Sequence, residues 1–374
     1  MAYVPLPWFD AHLDLAYLAV GGRDMLRPLT ELPHVEKDQP SITLPALEDG
    51  GVRFMLGTIF TEAGGSGPEG YPASDIERAY AVGRAQLEVY LTWRDRGLIV
   101  LDRFKSLKNQ PGTGEIRGGM GVANVIPFSI EKRIAKLPRS PALHLGILME
   151  NADPIRSPQE LGWWKDRGLV AVGMSWSKPS RYAGGNGTTE GMTALGRELV
   201  REMDRLGIVH DCSHLSDRSF DDLCSATDKL LIASHSNSRT LLANADMGVA
   251  NVPREVVMQR HISDPQIKEI IRRGGVIGLN LYGRFINPSA TPPLRPTIAQ
   301  SIAHIEHICE LAGNRNHVGL GSDMDGGFGA ERLPEGVDSP TGLRLLAEAL
   351  SARNWPDEEI HGFMYKNWLR IFAA

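Results

Sequence analysis

The chain has 374 residues, 42% hydrophobic and 23% charged, with 40 basic and 45 acidic side chains and a net charge of −5. That composition belongs to a globular protein with a sizeable core. A weakly acidic balance with no long run of either sign argues against nucleic acid and anionic membrane as main partners, since both need a concentrated basic patch.

Asp10 and Asp14 interrupt any basic-then-apolar start, and no apolar run reaches the length of a membrane span, so neither a signal peptide nor a transmembrane segment is expected. The three cysteines, Cys212, Cys224 and Cys309, include no Cys-x-x-Cys pair. They read as reduced thiols of a cytoplasmic protein, not as a disulfide framework or a thiolate zinc site.

In chain order, residues 8–15 (WFDAHLDL) form the first expected strand. Alternate side chains share one face of a strand, about 6.6 Å apart, so His12 and Asp14 are expected to point the same way. An imidazole and a carboxylate so placed make half of a metal site, a weak signal until other ligands are found. Residues 24–45 are polar and proline-bearing, a loop suited to crossing the mouth of a site. Residues 51–60 read as a buried strand, and residues 74–96 as a helix with Ser74 and Asp75 as candidate caps and Gly97 as its end. Residues 98–101 read as a short strand, and 105–140 as a basic, glycine-rich excursion.

From residue 143 the rhythm is regular. Expected strands at 143–149, 169–174, 207–211, 229–233, 274–280 and 317–321 alternate with expected helices at 192–206, 267–273 and 302–312. Two further helices are expected near 341–352 and 357–371. Strands alternating with helices imply parallel strands joined by crossovers, and about eight strands favour a closed (β/α)8 barrel over an open sheet. The expected organisation is one domain over residues 1–374, with the excursion, a long loop near 241–262 and the C-terminal helices as additions. Among the tail's apolar positions, Trp355, Phe363, Trp368 and Phe372 are candidates for a homodimer interface, with packing against the barrel as their plainer use.

The informative observation is where the polar residues fall. His12, Asp14, Glu150, His214, His235 and Asp323 all lie at or just beyond the C-terminal ends of expected strands, the end at which barrels build active sites. Imidazoles and carboxylates without thiolates suit zinc, or manganese and cobalt in its place. A carboxylate between two ions can bridge them, and a shared water would be deprotonated near neutral pH to give the nucleophile of a hydrolysis. Asp323 could then carry the proton to the leaving group.

Other motifs fall away. Asp323-Met324-Asp325-Gly326 starts like a calcium loop, but Gly327 and Phe328 break the pattern. No phosphate loop, dinucleotide fingerprint or nucleophile elbow is present. His304 and His307 are expected on a solvated helix face, and His210 stands as a candidate supporting group for the metal ligands.

Three groups of residues carry a family resemblance: Asp10-Ala11-His12-Leu13-Asp14, the stretch from Met192 through His210-Asp211-Cys212-Ser213-His214, and Ala233-Ser234-His235-Ser236-Asn237. With Gly275-Val276-Ile277-Gly278-Leu279-Asn280 and Gly319-Leu320-Gly321-Ser322-Asp323-Met324-Asp325-Gly326 they span nearly the whole chain in order. The chain resembles the membrane (renal) dipeptidase family of zinc peptidases. That resemblance implies a distorted (β/α)8 barrel with two zinc ions, one bound by His12 and Asp14, the other by His214 and His235, with Glu150 bridging and Asp323 as proton shuttle. It also implies a dipeptide substrate, often with a D-residue at the C-terminal side, although some members open β-lactams or cleave related amides.

Three departures from the family pattern stand out. Glu150-Asn151-Ala152 replaces Glu-Gly-Gly, and Trp176 occupies the place of a histidine expected near the scissile carbonyl. An indole can donate one hydrogen bond but cannot ionise. The arginine that would grip the substrate carboxylate is read as Arg260, beyond a connection from His235 longer than the family's. The leading expectation is a binuclear metal dipeptidase. Alternatives are hydrolysis of another small amide, such as an N-acyl amino acid or cyclic amide, and a metal-binding barrel without catalysis.

Overall fold

The structure is a computed structural model, and it describes residues 7–101, 104, 143–243, 252–289 and 294–373. The expected excursion at 105–140 lies outside the described residues.

Eight parallel strands form the barrel in chain order: Trp8–Leu13, Val52–Phe60, Leu143–Glu150, Leu169–Gly173, Val209–Asp211, Leu231–Ile232, Ile277–Leu279 and Val318–Leu320. The first pairs with both the second and the eighth. The ring closes between the sixth and seventh strands through a parallel bridge from Ala233 to Ile277, where the Gly278 N–H donates to the Ala233 carbonyl at 2.8 Å. The expected (β/α)8 architecture is the one observed. Several strands are shorter than expected: the stretch read as 274–280 narrows to three residues, Ile277–Leu279, and 229–233 to Leu231–Ile232.

Strand periodicity sorts the side chains. On the third strand Leu143, Leu145, Ile147 and Met149 pack into the large outer cluster beneath the helices. Leu148 belongs to a second cluster with Phe9, Ala11, Leu56 and Ile232. By the same period of two, Glu150 continues the inner row to the top of the barrel. Trp368 and Phe372 seal the opposite end: Phe9 stacks on Phe372 at 5.9 Å, and the Trp368 indole donates to the Leu320 carbonyl at 2.9 Å. Trp355, Phe363, Trp368 and Phe372 are therefore all buried within the chain and present no exposed face to a second copy.

The sixth strand end is held by close backbone approach. A methyl group on Gly321 would lie 1.8 Å from the Ser234 carbonyl oxygen, and one on Gly278 would lie 1.9 Å from the same atom. Only a missing side chain lets the seventh and eighth strands crowd the segment that carries His235. Gly321→Ala is accordingly expected to destabilise the fold by roughly 1–3 kcal/mol, measured by denaturant unfolding, because backbone must move to admit the methyl. A neutral change would show that the crowding is relieved elsewhere.

The helices follow their caps. Ile76–Asp95 starts on Asp75, whose carboxylate accepts the Arg78 N–H at 2.9 Å; Ser74 is not the cap. Ala194–Leu206 begins with Thr193 accepting from the Gly196 N–H at 3.0 Å and ends on left-handed Gly207. The stretch 24–45 is less uniform than expected, with a 3-10 turn at Leu29–Glu31 and the start of a helix, Leu44–Asp49. Its far end is pinned by Asp325, whose Oδ2 accepts the Ser41 and Ile42 N–H groups, each at 2.8 Å, so this segment is tied to the loop after the eighth strand. The long loop near 241–262 contains a short helix, Arg254–Met258, which delivers Arg260. No helix among the described residues is long and apolar enough to cross a membrane.

Candidate metal centre

All six residues singled out at strand ends converge at the C-terminal mouth of the barrel, in three overlapping groups. His12, Asp14 and Glu150 form one, Glu150, His214 and His235 a second, and His12, His235 and Asp323 a third, with ligand atoms in each within 4.8 Å of one another. Every one of the six is buried.

Local backbone geometry brings them there. His12 does not reach the mouth by simple alternation, because Phe9 and Ala11 already occupy the inner face. The register against the second strand shifts between Asp10 and Leu13, and this irregularity re-aims His12 inward beside Ala11. Asp14 lies beyond the strand, at the start of the helix Leu15–Val20, so the shared strand face expected for His12 and Asp14 is not the reason they meet. His214 and Asp323 both sit at positive φ, +65° and +59°, on the turns after the fifth and eighth strands. Left-handed conformations at non-glycine residues are costly and collect at functional sites. Asn151 explains one departure from the family pattern: its φ is +67°, a conformation natural to glycine and tolerated by asparagine. Its amide donates to the Thr61 carbonyl at 2.9 Å and the Tyr71 hydroxyl at 3.1 Å, contacts glycine would lack.

The protons around the histidines can be assigned from their partners. Asn186 Oδ1 lies 2.8 Å from His214 Nδ1 and can only accept, so that nitrogen carries the proton. The Ser234 hydroxyl donates to Asp211 Oδ2 at 2.6 Å and is 2.8 Å from His235 Nδ1, so it accepts from that nitrogen. Both Nε2 atoms are then bare lone pairs, yet they face each other at 3.0 Å, and lie 3.2 and 3.4 Å from Glu150 Oε1. Among the described residues Glu150 Oε1 has no hydrogen-bond partner. Acceptors converging in this way suit a cation, and this donor set fits a divalent ion of the zinc class. Asp211 and Asn186, missed from sequence alone, thus orient the two imidazoles. The backing of Asp14 by the Thr58 hydroxyl was equally unforeseen.

Electrostatics agree. Burial holds His12 down to about 3 and pushes His214 and His235 well below their ordinary value, so all three present neutral imidazoles. Burial also raises Asp14, to about 6, and lifts Glu150 and Asp323 well above the usual carboxylate range, with the neighbouring Asp14 charge adding to both. Buried carboxylates crowded together in this way are stabilised by cations.

Arg260 is buried in the wall of the same cavity. Its Nη2 donates to the His235 carbonyl at 3.0 Å and its guanidinium lies 4.9 Å from the Phe285 ring centre. Trp176, just past the fourth strand, also lines the cavity, with its ring 5.8 Å from His214 and edge-on to Phe60 at 5.2 Å. Asp323 Oδ2 accepts from the Asn280 amide at 2.8 Å. The cavity encloses about 680 Å³.

Two other histidines lie elsewhere than expected. His210 turns away from the centre to pair with Asp204 at 2.7 Å, because its neighbour Asp211 takes the inward position on a three-residue strand. His304 is buried, not solvated, and accepts the Ser238 N–H at 3.2 Å. Burial lowers its pKa from 6.5 to about 4. A histidine whose folded pKa is depressed adds stability above its unfolded pKa, and that stability is lost as pH falls through 6.5 towards 4. The non-titrating His304→Gln can still accept from Ser238, so wild type should lose about 2 kcal/mol relative to it between pH 7 and 5. Denaturant unfolding at the two pH values measures this, and a constant difference would contradict it.

Comparison with known proteins shows the family. The family model "Membrane dipeptidase (Peptidase family M19)" matches residues 4–374. An uncharacterized dipeptidase of Schizosaccharomyces pombe is 33% identical over 189 residues, which cover 49% of this chain and 39% of that protein. The chain thus matches less than half the length of that relative. Among solved structures, the dipeptidase AC, a metallopeptidase of family M19, superposes with a TM-score of 0.72 at 24% identity, covering 99% of both chains. A metallopeptidase from Rhodobacter sphaeroides, liganded with a phosphinate mimic of the dipeptide L-Ala-D-Ala, gives the same TM-score and identity over 98% of both chains. Matched by its model from residue 4 to the last residue, the chain belongs to the membrane dipeptidase family, Peptidase family M19, and is a metal-dependent, dipeptidase-like hydrolase.

Proposed function

We propose that this protein hydrolyses the peptide bond of small dipeptides at a centre of two zinc-class ions. His12 and Asp14 would hold one ion, His214 and His235 the other, and Glu150 would bridge them. The observation that carries this reading is the sharing of Glu150 between two of the ligand groups, with its Oε2 3.7 Å from His12 Nε2 and its Oε1 3.2 Å from His214 Nε2. When bound, such ions supply Lewis acidity and lower the pKa of a water towards neutrality.

The chain's own side chains do the rest. Asp323, held by Asn280 and raised by burial, accepts the proton that water gives up as it adds to the scissile carbonyl. It returns that proton to the departing amine nitrogen. Arg260 offers a fixed cation to the substrate's terminal carboxylate, since its guanidinium is anchored through Nη2 to the His235 carbonyl and its Nε has no partner among the described residues. Trp176 and Phe60 wall the cavity and restrict water around the reacting bond. The Trp176 indole that stands in place of a histidine cannot ionise, so ions held by these residues would supply the stabilisation of a developing oxyanion.

Arg260→Ala is expected to raise KM for a dipeptide such as Ala-Ala by about 10- to 100-fold, with a smaller change in kcat, as befits loss of one charge-assisted contact. An unchanged KM would remove Arg260 from the carboxylate site. Trp176 favours a second reading, a different small amide such as an N-acyl amino acid. A panel of L,L- and L,D-dipeptides beside N-acyl amino acids separates the two, and turnover confined to the latter would displace the dipeptide reading.

A further inference from the structure

The reaction leaves one buried carboxylate in the cavity wall without a role. Glu69 is 7% exposed, its Oε1 accepts the Gly67 N–H at 3.2 Å, and among the described residues its Oε2 has no hydrogen-bond partner. A carboxylate oxygen taken out of water and left unpaired calls for a donor from elsewhere. Glu62, on the same ribbon beyond the second strand, adds a second carboxylate to the wall, already paired at 2.8 Å with half-exposed Lys178.

Aromatic rings line the cavity beside them. Tyr17 meets Phe60 edge-on at 5.9 Å, and Phe60 meets Trp176 edge-on at 5.2 Å, giving a continuous wall from the first strand's end to the fourth's. Burial raises the Tyr17 hydroxyl, the charges of Glu69 and Asp14 add to that, and Tyr17 and Glu69 line the same cavity. Aromatic faces backed by carboxylates are the chemistry that receives an organic cation.

Topology gives this corner a direction. In a ring of eight strands the second stands opposite the sixth. The acidic ribbon follows the second strand, and Arg260 follows the sixth, fixed to the His235 carbonyl. The cavity is thus polarised across the centre, with cation-accepting groups on one side and a cation on the other.

We propose that Glu69, with Tyr17, Phe60 and Trp176, forms a subsite for a cationic side chain on the amino-terminal residue of the substrate, so that the preferred dipeptides begin with arginine or lysine. This inference rests on the dipeptidase reading and sharpens it.

The test compares Arg-Ala with citrulline-Ala, which match in shape and differ in charge, with Ala-Ala as the reference dipeptide. Metal-loaded wild-type enzyme is expected to favour Arg-Ala over citrulline-Ala in kcat/KM on the order of tenfold or more, and Glu69→Gln should bring that ratio towards one. The wild-type ratio needs no variant, so it decides even if Glu69→Gln fails to fold. Equal rates for Arg-Ala and citrulline-Ala in an enzyme that cleaves Ala-Ala would overturn the subsite and leave the dipeptidase reading intact. A ratio that survives Glu69→Gln would overturn the role of Glu69. No turnover of any of the three would overturn both readings together.

Discussion

Asp323→Asn should retain the metal content of wild type and lose about 10²- to 10⁴-fold in kcat, the usual contribution of a positioned proton-transfer group. The substitution keeps the shape and can keep a hydrogen bond to Asn280, but an amide cannot take up a proton from water. Asp323 is suited to the task because burial and the Asp14 charge raise its pKa, while Arg260 works against them. Its left-handed backbone, held by an N–H donated to the His12 carbonyl at 3.2 Å, fixes the carboxylate beside His12 and His235. Metal analysis alongside steady-state kinetics decides the matter. A variant that loses metal with activity would make Asp323 a ligand, and one that keeps full kcat would release it from the mechanism.

Removing the ions should abolish hydrolysis and also cost stability. Ligands that bind the native state a thousandfold above their dissociation constant stabilise it by about 4 kcal/mol. At about 2–4 °C per kcal/mol for chains of this order, chelation should lower Tm by about 10 °C. The physical reason is visible in the centre, where Asp14, Glu150 and Asp323 are buried close together and two bare imidazole nitrogens face Glu150 Oε1. Glu150→Gln should reproduce the loss of binding without a chelator, since it removes the only carboxylate common to two ligand groups among the described residues. About two zinc-class ions per chain are expected by elemental analysis of wild type. A chelator-insensitive enzyme with an unchanged Tm would refute the centre altogether.

Much of this protein was legible in its sequence because the signals are local. The alternation of apolar runs with amphipathic stretches set the barrel, and the candidate ligands lie at the end of an apolar run or within a few residues beyond it. Glu150, His214, His235 and Asp323 could therefore be found by reading where hydrophobic runs stop. Helix caps such as Thr193 were equally local.

What only the tertiary structure decided depends on contacts between segments far apart in the chain. The irregularity between Asp10 and Leu13 exists because the first strand pairs with the second, and without it His12 would not follow Ala11 inward. On the three-residue fifth strand, pairing on both sides chose Asp211 over His210 for the inner face. His304 looked solvated because a helix sequence does not reveal that Ser238, 66 residues earlier, presents its N–H there. The close approach of Ser234 to Gly278 and Gly321, which holds His235, is likewise a property of the closed ring. A sequence records which side chains can bind a metal. Pairing and closure decide which of them face one another, because the energies that fix those choices arise between elements and not within them.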